Sequence, residues 1–182
     1  MNYSPYLCAM RKHTGMRPHD IPVLINIYLR QDKPWLMKDI SSSLDISPSE
    51  VSESLNRSRY AGLIDDHKEK VLTQNLFDFL IHGVRYVFPQ QPGPLMRGIP
   101  TAHSHPKIQG KFISDVKYVW PSSDGKDIGQ SIDPLYQKQV KAVLQDEQLY
   151  FILSLIDMIR VGKTREVKYA KDQLNKIFQI AQ

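Results

Sequence analysis

The residues best suited to chemistry lie in one short run, Ser47-Pro-Ser-Glu-Val-Ser-Glu-Ser-Leu-Asn-Arg-Ser-Arg59. Val51 and Leu55 stand four apart and mark the buried face of a helix. The remaining faces carry Ser49, Ser52, Glu53, Asn56, Arg57 and Arg59. These are the side chains that read base edges in a major groove. Arginine pairs with guanine, asparagine with adenine and glutamate with the cytosine amine, while short hydroxyls near a helix N-terminus meet phosphate. Arg57 is the leading base-reading candidate, and its loss is expected to weaken duplex binding by about 1–3 kcal/mol. The plain alternative is a solvated polar face, because Glu50 and Glu53 balance Arg57 and Arg59.

Two other groups have the right types. Arg160, Lys163 and Arg165, with Lys168 and Lys171 beyond, bracket the end of one helical pattern and the start of the next. Cations beside a helix N-terminus form a candidate anion-binding site; a solvated turn that complements the helix dipoles is the simpler reading. His103 and His105 alternate, as zinc ligands on one strand would. A third ligand, such as His82 or Asp115, is not demanded by the spacing, so a surface pair in a loop is the default and no metal or cofactor is expected. No nucleophile elbow, phosphate loop, dinucleotide fingerprint or His-Glu-x-x-His motif supports an enzyme.

Two helices joined by a tight turn must position the first group. Ile40 and Leu44 form the inner face of the earlier one. Ser47 is the expected N-cap of the later one, with Pro48 at its first position and Glu50 completing a capping box. An earlier helix, about Pro18 to Leu29, presents Ile21, Leu24, Ile25 and Tyr28 to one side. Gly62 ends the polar helix. Leu63-Ile64 and Val71-Leu72 then flank a charged turn, which reads as a small two-stranded hairpin carrying Lys68 and Lys70.

Helix, two crossed helices and a charged hairpin, carried by Ile40, Leu44, Ser47, Val51, Leu55, Arg57, Gly62, Leu63 and residues 64–72, resemble the winged helix-turn-helix regulators of the MarR and ArsR type. The resemblance covers about residues 17–75 and implies double-stranded DNA as partner, with Ser49, Ser52, Glu53, Asn56, Arg57, Arg59, Lys68 and Lys70 as contacts. Asp65 and Asp66 depart from the basic hairpin such a wing usually has.

Beyond that region, 75–82 reads as a helix and 84–88 as a strand. The stretch 89–106 has five prolines and reads as a long loop with a binding or conformational role. A strand is expected within 112–120, then a turn-rich stretch over 121–129, a helical segment from Asp133-Pro134 to about 145, and a helical hairpin of Glu147–Arg160, with Leu149, Leu153, Ile156 and Ile159 on one face, and about 165–180. The expected class is mainly α with a small β component: a domain at 1–75 and a loop-rich, helical region at 76–182 for dimerisation or partner binding. Ile156, Ile159, Ile177 and Phe178 are candidate dimer contacts.

Composition sets the bounds. The 182 residues, 41% hydrophobic and 24% charged, fit a globular protein without a membrane span. One cysteine, Cys8, excludes an internal disulfide. No signal-peptide pattern opens the chain, so a cytoplasmic location is expected. The net charge of +5 favours a polyanionic partner weakly, and residues 1–16, with Arg11, Lys12 and His13, read as a basic arm. The function expected is a sequence-specific DNA-binding transcriptional regulator. The alternative is a winged-helix protein-interaction module, an adaptor or antitoxin-like partner of a neighbouring enzyme.

Overall fold

The computed structural model describes residues 15–31 and 33–180, so the expected arm and Cys8 lie almost wholly outside the described residues. The fold is mixed α and β, with helices dominant. Helices α1 (Asp20–Leu29), α2 (Met37–Leu44) and α3 (Pro48–Tyr60) pack on one another through Ile21, Leu24, Ile40, Leu44, Val51 and Leu55. The N-cap expected for α3 is present: Ser47 Oγ accepts the Glu50 amide at 3.2 Å. The other half of the box is not, because the Glu50 carboxylate turns away to His19 and Arg57. Gly62, at φ +69, closes α3. The Leu63 amide reaches back to Ser58 and the Gly62 amide to Arg59, both at 2.9 Å, and satisfy carbonyls at the helix end. Ile64 and Val71 then form an isolated antiparallel bridge around the charged turn.

The next stretch differs from expectation. Helix α4 (Thr73–Asp78) runs on through a π-helical turn (Phe79–Gly83) into α5 (Val84–Val87), so the strand expected over 84–88 is instead helix to Val87 and a bend at Phe88. Buried Leu76, Leu80 and Val84 recur at four-residue steps along it, and this burial overrides the β-preference of the short run. The expected loop 89–106 holds strand β1 (Leu95–Pro100) and a short 3-10 turn at Ala102–Ser104. With β2 (Tyr118–Pro121) and β3 (Asp127–Ser131) it makes a small closed sheet. β1 pairs antiparallel with both partners, opposite β3 from Leu95 to Gly98 and opposite β2 from Gly98 to Pro100, while β2 and β3 run parallel. The turn-rich reading of 121–129 thus missed the start of β3. The helical segment expected from Asp133 is shorter, only α6 (Gln139–Val143).

The C-terminal hairpin is α7 (Glu147–Val161) against α8 (Thr164–Phe178). Asp146 caps α7, accepting from Gln148 and Leu149 at 3.0 and 2.9 Å. The apolar core continues across the expected boundary at 75 and 76: α1 packs on α7, α4 packs on α8, and the Tyr28 hydroxyl donates to the Ile177 carbonyl at 2.7 Å. Ile156, Ile159 and Phe178 are buried within the chain's own core, so the stripes considered for a dimer contact serve this packing instead. Among the described residues no helix is long and apolar enough to cross a membrane.

Candidate nucleic-acid interface

Helix α3 is packed on one side and partly exposed on the other. Val51, Ser54, Leu55, Arg57 and Ser58 face inward and are buried. Ser54 and Ser58 are fully buried on this face. Ser49, Ser52, Glu53, Asn56 and Arg59 fall on the opposite stripe, Ser49 and Arg59 exposed and the other three half-buried.

Arg57 does not belong to that outer stripe, which corrects the sequence reading. It is 6% exposed and forked onto Asp20, with Nε–Oδ2 at 2.9 Å and Nη2–Oδ1 at 2.7 Å. Its Nη2 also donates to Glu50 at 3.1 Å. Asp20 is wholly buried and accepts the Arg17 amide as well. A guanidinium taken out of water needs this carboxylate, and the pairing holds Arg57 on the inner side of α3, turned from the stripe that would meet a base edge. The hydrogen bonds to Asp20 outweigh the cost of burial and raise the pKa of Arg57 further. Burial alone would raise the Glu50 carboxyl, but Arg57 and His19 overcome it and hold Glu50 below its ordinary range. Arg57 and Glu50 therefore stay charged, and the bonds from Arg57 to Asp20 fix α3 on the start of α1.

The hairpin meets α3 through Lys68, whose Nζ donates to Asn56 Oδ1 at 2.5 Å. Asn56 and Lys68 thus lie on one surface, and Lys70 is exposed nearby in the chain. One acid of the turn has a structural task. Asp65 Oδ1 accepts the amides of Glu69 and Lys70 at 2.7 and 3.0 Å and so shapes the turn, which leaves Lys68 at φ +60. Burial works against its ionisation, but the amides prevail and hold Asp65 below its ordinary pKa.

The second candidate group separates. Arg160 is 6% exposed and spans the carbonyls of Phe88 and Asp133 and the carboxylate of Asp157, at 3.0, 3.2 and 2.8 Å. It is therefore not an anion ligand at the surface. Lys163 and Arg165 remain exposed at the start of α8, where the Glu166 carboxylate already takes the Lys163 amide at 2.7 Å. The partner of Arg160 had a signal in the sequence: Asp157 and Arg160 stand three apart between Ile156, Met158 and Ile159 on an otherwise apolar helix, the spacing of a buried ion pair. Asp157, itself 1% exposed, also accepts from Thr101 and from Trp120 Nε1, at 2.9 and 2.7 Å, so it ties the sheet to α7. Burial pushes its carboxyl up against the pull of Arg160.

The two histidines are buried in and beside the 3-10 turn and are not a surface pair. His103 Nδ1 sits 3.0 Å from Glu166 and Nε2 2.9 Å from the Val116 carbonyl. His105 packs on the rings of Tyr150 and Phe151. Among the described residues no group of three or more His, Cys, Asp or Glu side chains could hold a metal ion.

No family model, no curated protein and no solved structure matches the chain.

Proposed function

We propose that the protein is a sequence-specific DNA-binding regulator that lays α3 in the major groove in the manner of a winged helix. The observation that carries this reading is the polar outer stripe of α3, Ser49, Ser52, Glu53, Asn56 and Arg59, joined to the hairpin by the bond from Lys68 to Asn56. A helix anchored on its inner face by Arg57 and Asp20 presents such a stripe rigidly. In this reading Arg59, not the buried Arg57, reaches a base or a phosphate, and Lys68 and Lys70 meet backbone phosphates.

Binding to a pool of randomised duplexes, selected over several rounds and then measured by anisotropy across a salt series, tests this. Affinity is expected to fall steeply with salt, because each neutralised phosphate releases counterions. Arg59→Ala is expected to cost about 1–3 kcal/mol with relaxed selectivity if it reads a base, or to lower the salt slope by about 1 if it meets a phosphate. Absence of duplex binding at low salt would overturn the proposal. A protein-interaction module is the second reading, favoured by Asp65, Asp66 and Glu69 on the hairpin, since these acids repel phosphate.

A further inference from the structure

Beside the hairpin, the segment 33–37 and the hairpin turn enclose an open groove of about 590 Å³. Trp35, Leu36 and Met37 are part of its apolar lining, and Lys33, Lys68 and Glu69 are part of its charged margin. Leu36 is 59% exposed and Met37 39%. Trp35 is half-buried and braced by its Nε1–H, which donates to the Glu69 carbonyl at 3.3 Å. The volume falls in the range of ligand-binding clefts, but the groove is open along its length and suits a chain segment better than an enclosed small molecule.

We infer that this groove docks a segment of a partner protein that carries large apolar side chains flanked by acidic ones. The charges make the choice. Among the described residues that line it, Lys33 and Lys68 outnumber the one acid, Glu69, so an anionic segment is attracted and a basic one repelled. The floor separates a peptide from a nucleic acid: a phosphate backbone offers nothing to cover Leu36 and Met37, whereas an inserted leucine or phenylalanine removes that apolar surface from water. The inference rests on the apolar floor of Trp35, Leu36 and Met37, which the DNA reading does not use; Lys68 and Lys70 border both surfaces.

The test uses the full chain and a fluorescein-labelled synthetic peptide with two leucines set among aspartates and glutamates, followed by anisotropy. Two control peptides replace the leucines with serines or the acids with lysines. Saturable binding of the first peptide alone is expected. Leu36→Asp is the informative variant. Leu36 is the N-cap of α2, with β-region dihedrals, and aspartate is a preferred residue there, so the fold is retained while the apolar contact is lost. This variant is expected to weaken the peptide by about tenfold or more. Lys33→Glu is expected to weaken it as well, and Arg59→Ala to leave it unchanged. No binding of the first peptide, equal binding of the serine control, or indifference to Leu36→Asp would each overturn the inference. Loss of duplex affinity in Leu36→Asp and Lys33→Glu with the peptide unaffected would assign the groove to the DNA face and overturn it too. Loss of duplex binding in Arg59→Ala bears only on the DNA proposal.

Discussion

Two buried arginines decide how single side chains in this protein should be tested. Arg57 and Arg160 each lie against a carboxylate that is itself out of water, Asp20 and Asp157. Removing one partner of such a pair leaves a charge with neither solvent nor counterion. Arg57→Ala is therefore expected to lower stability by about 3–5 kcal/mol in urea denaturation. The double replacement Asp20→Leu with Arg57→Met is expected to lose much less, because no bare charge remains. A double variant as unstable as the single one would show that the pair's geometry, not its charge balance, holds α3. Any fall in duplex affinity in Arg57→Ala would then follow from loss of the folded helix, whereas exposed Arg59 can be cut back without that effect.

Among the elements, Gly62 offers the cleanest test of how the polar helix is ended. It sits at φ +69, and a Cβ placed there meets nothing within 4 Å. The cost of Gly62→Ala is thus the backbone term alone, about 1 kcal/mol, and Gly62→Asn is expected to cost less because asparagine tolerates this region better. Thermal unfolding of both variants checks the order; a larger loss for asparagine would mean that space, not conformation, limits the site. This helix end was legible in the sequence because its signals are local: Ser47, Pro48 and Gly62 act within a turn of themselves. The stripes Ile21, Leu24, Ile25 and Leu149, Leu153, Ile156 were legible for the same reason, since helical periodicity needs no distant partner. What failed depended on distance. Arg57 finds Asp20, 37 positions upstream, and nothing in α3 announces that pairing. β1 was hidden because Pro94 and Pro100 bracket it and read as loop, although proline at strand ends is compatible with a short paired strand. Residues 84–88 look like a strand by composition, yet 84–87 continue a helix whose buried row begins at Leu76.

At the scale of the whole molecule, the sheet and the C-terminal hairpin are joined through the turn that holds both buried histidines, and their opposite responses to pH should shape the stability of the fold. Burial among the rings of Tyr150 and Phe151, aided by Lys107, lowers His105 from 6.5 to about 4, against the pull of Glu147. Its folded pKa is below its unfolded one, so its contribution is complete above about 6.5 and is lost as pH falls towards 4. That interval corresponds to on the order of 3 kcal/mol. His103 behaves in the opposite sense. Burial pulls it down, but Glu166 and the Val116 carbonyl overcome that and leave its pKa raised, with Lys163 a minor opposing charge and the Tyr118 ring alongside. Its contribution is complete below the ordinary histidine value and is lost as pH rises through the raised one. His105→Phe removes a titrating group whose buried Nε2 has no partner among the described residues, at the expense of the acceptor that Nδ1 gives the Lys107 amide. Urea unfolding from pH 7 to 4 is expected to show a shallower loss of stability in this variant than in the parent, with the two nearly equal at pH 7. If the two curves run parallel throughout, His105 keeps its ordinary pKa, and the acid sensitivity of the fold originates elsewhere.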